Sequence, residues 1–365
     1  MKLVLFSDLH LDAQFGWATR EAARKRRRSL REALSAMMQL TLETKADAVL
    51  CGGDLYEHDR FSPDTAEFVR STFEHVHPLP IYVAPGNHDW YGAKSLYHRT
   101  DWSPNVHVFA EDVLRPVELA DGLTLWGAAH RAPANTDNFL EGFRVDRGGI
   151  NLGLFHGSER RGFAWQGDGK VPHAAFYAEQ IQSAGLDHAL LGHYHSPNDA
   201  EHFTYPGNPA PLTFGEIGER GAVVVEVSES GSVTRYRHRV TSQQTFDLKV
   251  DVTGCTNSQE LRERAAALVQ GLSGIARLTL EGELGAEVDF RPEDLADVAP
   301  HMEAVIVRVG AISVGYDFDI IAKESTVRGQ FVRDVVDADL PEEERRRVLV
   351  TGLRALDDRN DLEVI

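Results

Sequence analysis

The ten residues PIYVAPGNHD, Pro80–Asp89, decide how the chain is read. Ile81, Tyr82 and Val83 form a short apolar run suited to a buried strand, and the Pro-Gly pair ends it. Asn87, His88 and Asp89 then crowd onto the loop that follows. The same arrangement recurs along the chain. KLVLFSD leads to Asp8 and His10, DAVLCGGD ends on Asp54, INLGLFHGS carries His156, and HALLGHYH carries His193 and His195. Open α/β sheets collect ligands at the carboxyl ends of their strands, where loops converge. Helical spacing lies between the runs. From about Arg20 to Thr44, Leu30, Leu34, Met37, Met38 and Leu42 fall on one face, and FVRSTFEHV reads as a second helix. LTLWGAAH supplies another strand, and RGAVVVEVSESGSVTRYRHRV a closing hairpin that turns at Ser228–Ser232. Strands alternating with helices favour an α/β sandwich over an all-β fold.

After about Thr241 the texture changes. TFDLKVDV, SQELRERAAALVQGL, ARLTLEGEL and AVIVRVGAI suggest a separate, smaller α+β domain over residues 241–324. A helical segment rich in Arg, Asp and Glu follows over 325–365, so the first domain is placed at 1–240. The whole has 365 residues, 42% hydrophobic and 26% charged, which suits a folded protein rather than a disordered one. Cys51 and Cys255 are the two cysteines and lie far apart, which excludes a thiolate-built zinc site and gives no disulfide framework. The apolar run at the start is too short for a signal-peptide core, and no stretch reaches the length of a membrane span. A cytoplasmic protein, without membrane attachment, is expected. The formal charge of −18 argues against coating nucleic acid by bulk electrostatics, but leaves room for a local grip on a few phosphates.

The strand ends together offer Asp8, His10, Asp54, Asn87, His88, His156, His193 and His195. Carboxylate, amide and imidazole donors without thiolate suit Mn²⁺, Fe²⁺ or Zn²⁺. Seven ligands besides His88 are too many for one ion and suit two that share a carboxylate.

In order, SDLH, CGGDLY, PGNHD, FHGS and LGHYH resemble the motifs of the calcineurin-like metallophosphoesterase superfamily. SDLHLD and YPGNPAPLTFGEIGERGAVVVEV are further similar to the SbcD-type DNA repair nucleases, including their YhaO-like branch, over most of residues 1–230 and more loosely near TVRGQFVRDVV. The resemblance implies a four-layer β-sandwich flanked by helices, with the small α+β domain as a cap. It implies that Asp8, His10, Asp54 and His195 hold a first metal ion, Mn by preference with Fe or Zn as alternatives. Asn87, His156 and His193 hold the second, with Asp54 between the two. Such ions clamp a phosphate and lower the pKa of a bound water toward neutrality. His88 is then the group that stabilises phosphoryl charge or protonates the leaving alkoxide, and Asp89 the acceptor that orients it. DNA is the expected substrate. An SbcC-like coiled-coil ATPase is the expected partner, docking on helical spacing at Val348, Leu349, Leu353 and Leu356, and a homodimer is a further arrangement the resemblance allows.

Weaker signals are AARKRRRS (22–29), a basic run able to track a DNA backbone or to form a solvated helix face, and ERRGFAWQGDGK (159–170), where basic and aromatic residues mix beside His156. YPGN (205–208) reads as a tight turn at the metal rim. Some family members carry a His three residues after the bridging Asp; that place is Glu57 here, with His58 next to it. The competing enzyme reading is a phosphatase or phosphodiesterase acting on nucleotides or other small phosphoesters. A third reading is a binding module that has lost catalysis.

Overall fold

A computed structural model of the chain describes residues 1–161, 172–216, 218–285, 288, 291–295 and 297–357. It falls into two compact units, Met1–Gln243 and Gln244–Ile365. The strands of the first unit are β1 (Lys2–Phe6), β2 (Ala48–Cys51), β3 (Ile81–Val83), β4 (Val106–Val108), β5 (Arg115–Ala120) and β6 (Leu123–Gly127). They continue with β7 (Ile150–His156), β8 (His188–Gly192), β9 (Asn198–Asp199), β10 (Phe203–Tyr205), β11 (Ala222–Val227) and β12 (Val233–His238). Its helices are α1 (Arg20–Glu43), α2 (Pro63–Glu74), α3 (Leu96–Arg99) and α4 (Glu179–Ser183).

The strands build two six-stranded sheets, ordered β12-β11-β1-β2-β3-β4 and β5-β6-β7-β8-β10-β9. In each, four consecutive strands run parallel; β11 in the first sheet and β5 and β9 in the second run antiparallel to them, and β12 pairs antiparallel with β11. β1, β2, β7 and β8 are apolar on both faces because both faces are covered. Leu3, Leu5, Leu50 and Val225 of one sheet pack on Leu125, Leu152, Leu154 and Leu190 of the other. The outer face of the first sheet packs on α1 and α2 through Val4, Val49, Leu34, Met37 and Phe73. On the second sheet's outer face Phe155, Ala189 and Leu191 meet Ile181 of α4 and Phe176. The result is helix, sheet, sheet, helix: the four-layer α/β sandwich.

α1 starts where Thr19 accepts a hydrogen bond from the Ala22 N–H, and α2 where Ser62 accepts from Thr65 N–H with Pro63 in the first turn. Leu30, Leu34, Met37 and Met38 are buried as their spacing requires, but Leu42 is 45% exposed and Thr41 is buried in its place. At about 100° per residue, position 41 returns to within about 20° of position 30, whereas position 42 has swung about 120° away. The closing hairpin forms between β11 and β12, with Ser228 N–H donating to the Ser232 carbonyl.

The second unit has a parallel three-stranded sheet of β13 (Thr245–Asp251), β14 (Ile275–Gly285) and β15 (Ala304–Gly315). With it are α5 (Ser258–Val269), α6 (Phe318–Ile321), α7 (Val327–Val336) and α8 (Glu342–Leu356). Val250, Leu261, Leu278 and Leu280 share one core with Val332 of α7 and with Leu349 and Leu353 of α8. The segment after residue 324 therefore completes this unit's core instead of standing apart from it, because α8 turns one apolar stripe inward. Among the described residues no helix is long and apolar enough to cross a membrane.

Leu353→Ala should destabilise the second unit by about 2–5 kcal/mol, the usual cost of emptying a buried leucine site. Guanidinium unfolding followed by circular dichroism reads this directly. A shift below about 0.5 kcal/mol would show that α8 does not hold that core.

Candidate metal centre

Register sets the site. Phe6 pairs with Cys51 and Cys51 with Val83, so β1, β2 and β3 end level with one another. Their loops present Asp8, Asp54 and Asn87 within a few residues of that line. In the second sheet His156 pairs with Gly192, which places His156 next to His193. The two sheets meet at this edge. The His156 Nδ1–H donates to the Gly52 carbonyl at 2.9 Å, and the His193 N–H reaches Asp8 Oδ1 at 3.1 Å. Glycine is required for so close an approach: a Cβ on Gly86 would collide with Asp54 Oδ1, and one on Gly192 with the Gly52 carbonyl.

Four of the gathered residues have left-handed backbone, with φ of 54° at Asp8, 50° at His10, 52° at Asp54 and 111° at His193. Non-glycine residues adopt such angles only where the surroundings impose them. Here Asp8 N–H donates to the Gly53 carbonyl and His10 N–H to the Asp54 carbonyl, each at 2.9 Å, tying the first loop to the second.

The side chains converge in two overlapping groups. Asp8, His10 and His195 offer donor atoms within 4.8 Å of one another, and so do Asp8, Asp54 and His156. His156 Nε2 lies 3.1 Å from Asn87 Oδ1, 3.3 Å from Asp54 Oδ2 and 3.3 Å from His193 Nδ1. His10 Nε2 lies 3.6 Å from the same Asp54 Oδ2. All seven candidate ligands are thus brought together, and Asp54 sits between the groups. Its other oxygen, Oδ1, accepts the His88 backbone N–H at 2.8 Å, which turns Oδ2 inward. Burial opposes a charge on Asp54, yet His156, His88 and His10 hold its carboxyl well below the usual range.

The imidazoles are aimed from behind. His10 Nδ1–H donates to Glu57 and His195 Nδ1–H to Glu216, both at 2.7 Å, while His156 Nδ1–H is held by Gly52. Each bond fixes the tautomer whose Nε2 lone pair faces the centre. His10 Nε2 and His193 Nε2 are buried and have no hydrogen-bond partner. Buried polar atoms are nearly always satisfied, so orphaned nitrogens in a carboxylate-lined centre fit bound cations. The donor set of oxygen and imidazole nitrogen, without thiolate, suits divalent ions.

The expected pairing of His88 with Asp89 is not what the structure shows. Asp89 is fully buried, and its hydrogen bonds go to other groups. Its Oδ1 accepts from Gly86 N–H at 2.6 Å and Asp54 N–H at 3.1 Å, and its Oδ2 from Leu55 N–H at 2.6 Å and Tyr97 O–H at 2.5 Å. Four donors use up the carboxylate, which leaves nothing for an imidazole. Burial, reinforced by Asp54, pushes its pKa up to about 6. His88 is oriented by Glu57, whose Oε2 lies 3.1 Å from its Nδ1. Its side chain is 47% exposed, at the rim above the buried donors. Burial works against its protonation, but the Glu57 hydrogen bond and the charges of Asp54 and Glu57 raise its pKa to about 9.

Sequence reasoning treated Glu57 only as a departure and missed Glu216 altogether. No spacing announces such residues; the available signal is chemical, since a ligating imidazole needs an acceptor on its second nitrogen. Glu216 also accepts from Asn208 Nδ2 and Leu212 N–H, each at 2.6 Å, so the YPGN turn braces the His195 loop. Arg26 of the basic run is buried and donates to the Pro211 carbonyl and Gln243, leaving Arg24, Lys25 and Arg28 exposed. Of the loop after His156, Phe163, Trp165 and Lys170 lie outside the described residues, while Arg161 pairs with Glu179. His130 is a buried structural residue, with Nε2–H donating to the His156 carbonyl at 2.7 Å.

Comparison with known proteins supplies the family. The chain is 24% identical over 296 residues to the DNA double-strand break repair protein Mre11 of Methanopyrus kandleri, covering 72% of this chain and 62% of the relative, so it spans under two thirds of that protein's length. Among solved structures it is similar to TT1561 of Thermus thermophilus, at 16% identity and a TM-score of 0.39 over 65% of this chain and 98% of that one. It is also similar to a dimetal phosphatase from Danio rerio, at 12% identity and a TM-score of 0.35 over 61% and 91% of the two chains. Residues 1–197 match the calcineurin-like phosphoesterase family, a stretch that takes in every donor of the centre. The chain belongs to that family.

Proposed function

We propose that the protein is a dinuclear-metal-dependent phosphodiesterase that cleaves DNA, an SbcD-type repair nuclease working with a coiled-coil ATPase. The observation that carries the reading is the pair of donor groups that share Asp8, with Asp54 between His10 and His156, set beneath an exposed His88 that a carboxylate holds in place. The DNA part draws support from the Mre11 relative: an alignment of 296 residues extends well past the 197 of the phosphoesterase match.

In this reading Asp8, His10, Asp54 and His195 hold one ion, and Asn87, His156 and His193 hold the other. Bound there, such ions supply a charge clamp on the phosphoryl oxygens and a water acidic enough to act as nucleophile at neutral pH. The chain supplies the rest. Glu57 spans His10 and His88, so one carboxylate fixes a ligand and the rim imidazole together. The Glu57 carboxylate at Nδ1 favours protonation of the His88 ring. The ring stabilises charge on the phosphoryl group, and its Nε2–H is the proton available to the departing alkoxide. Asp89 keeps the two loops in register and stays out of the chemistry.

The docking segment divides in two. Leu349 and Leu353 are core residues of the second unit, whereas Val348 and Leu356 are 36% and 47% exposed and remain able to meet a partner.

Three measurements test the reading. With Mn²⁺ the protein should cleave DNA and small diesters, and EDTA should abolish both; hydrolysis of monoesters alone would overturn the nuclease assignment. His88→Ala should lower kcat by about 10²–10⁴-fold with bound metal unchanged by elemental analysis, and full activity would remove His88 from the mechanism. Val348→Asp with Leu356→Asp should abolish co-purification with a co-expressed coiled-coil ATPase while leaving Mn²⁺-dependent hydrolysis intact. Retained co-purification would place docking elsewhere.

A further inference from the structure

A cavity of about 510 Å³ opens in the first unit beside the metal centre, and none of the roles above uses it. His58 forms one wall. Its ring lies flat against Trp90, with centroids 3.8 Å apart and planes inclined by 27°. His58 is thus engaged by Trp90 and lines the cavity. Phe61 and Leu96 add apolar lining, and Lys94, Arg99 and Asp59 line its exposed part. Neither Lys94 nor Arg99 forms an ion pair among the described residues. The cavity is tied to the rim of the centre, because His58 N–H donates to the His88 carbonyl at 3.0 Å and Trp90 follows His88 by two residues.

A flat ring backed by a second ring, apolar lining and two unpaired cations make up a particular kind of receptor. Flat π faces take planar aromatic groups by stacking, and they do so whatever the base. Lysine and arginine beside them take phosphate. Burial lowers the pKa of the His58 ring; Asp59 works the other way, and Arg99 and Lys94 add to burial. The wall is thus a neutral aromatic face, with the positive charge displaced to the two side chains at the opening.

We propose that this cavity is a nucleotide subsite, in which a base stacks on the His58 face and a phosphate meets Lys94 and Arg99. Resting on the phosphodiesterase reading above, it would seat the nucleotide flanking the scissile bond and so favour a nucleic-acid chain over a small diester. A free nucleotide has the same chemistry, and the two sources separate by experiment.

Calorimetric titration with dAMP in EDTA tests the subsite without any hydrolysis and without metal-bound phosphate. Wild type should bind dAMP, and K94E/R99E should bind at least tenfold more weakly. Both cations are exposed, so the fold tolerates reversal of their charge, and His58→Ala provides a second variant that removes the stacking face. The kinetic arm compares kcat/KM on a short oligonucleotide with kcat/KM on an aryl diester that has no base. If that ratio falls about tenfold in both variants, the substrate's own nucleotide occupies the cavity. Weakened dAMP binding with an unchanged ratio assigns it to a free nucleotide. Binding of dAMP that is absent in wild type, or equal in wild type and variants, overturns the proposal. Failure of DNA cleavage alone would overturn the nuclease reading and leave the titration standing.

Discussion

The buried carboxylate of Asp89 is the constraint on which the rest of the centre depends. It gathers the N–H groups of Gly86, Asp54 and Leu55 and the Tyr97 hydroxyl in a place closed to water. Left unmatched, each of those donors would cost on the order of 1–3 kcal/mol. Satisfied together, they bind the loop after β2 to the loop after β3. Asp54 then has no freedom to leave its left-handed backbone, and its two oxygens are committed to opposite duties. One receives the His88 backbone, and the other faces His10 and His156. Removing the fixed geometry of Asp54 would separate the two donor groups from each other and from the rim imidazole.

Most of this was legible in the chain because it rests on local rules. An apolar run that stops at a turn and is followed by polar, metal-competent residues marks a strand end. Five such stops in order place Asp8, His10, Asp54, Asn87, His156, His193 and His195 without any coordinates. What was not legible depends on contacts between residues far apart in sequence. Adjacency of His88 and Asp89 invites pairing, but successive residues on a tight loop point apart, and the partner of His88 comes from position 57. Glu216 supports a histidine 21 residues before it, and no pattern of spacing encodes that. The C-terminal helices raise the same difficulty. Their spacing reveals an apolar stripe, and only the fold tells that Leu349 and Leu353 turn inward while Val348 and Leu356 do not.

The carboxylates behind the imidazoles give the centre a uniform logic. Glu57 and Glu216 are both held well below their ordinary range: burial opposes their ionisation, but hydrogen bonds from the histidines they support outweigh it, with His10 foremost for the first and His195 for the second. Each is held as an ionised acceptor at neutral pH, so neither histidine is left to choose its tautomer. Preset lone pairs of this kind reduce the reorganisation a cation must cause on binding.

The contact between Gly52 and Gly192 carries a different kind of consequence. Asp8, His10, Asp54 and Asn87 belong to one sheet, and His156, His193 and His195 to the other. The separation of the two halves is therefore set by the thickness of the apolar filling between the layers, where Leu50 and Leu154 lie. Close-packed interiors transmit a change of one methylene as a displacement. The centre thus works as a caliper on its own core: a conservative-looking exchange deep between the sheets would reach the rim as a change of aperture.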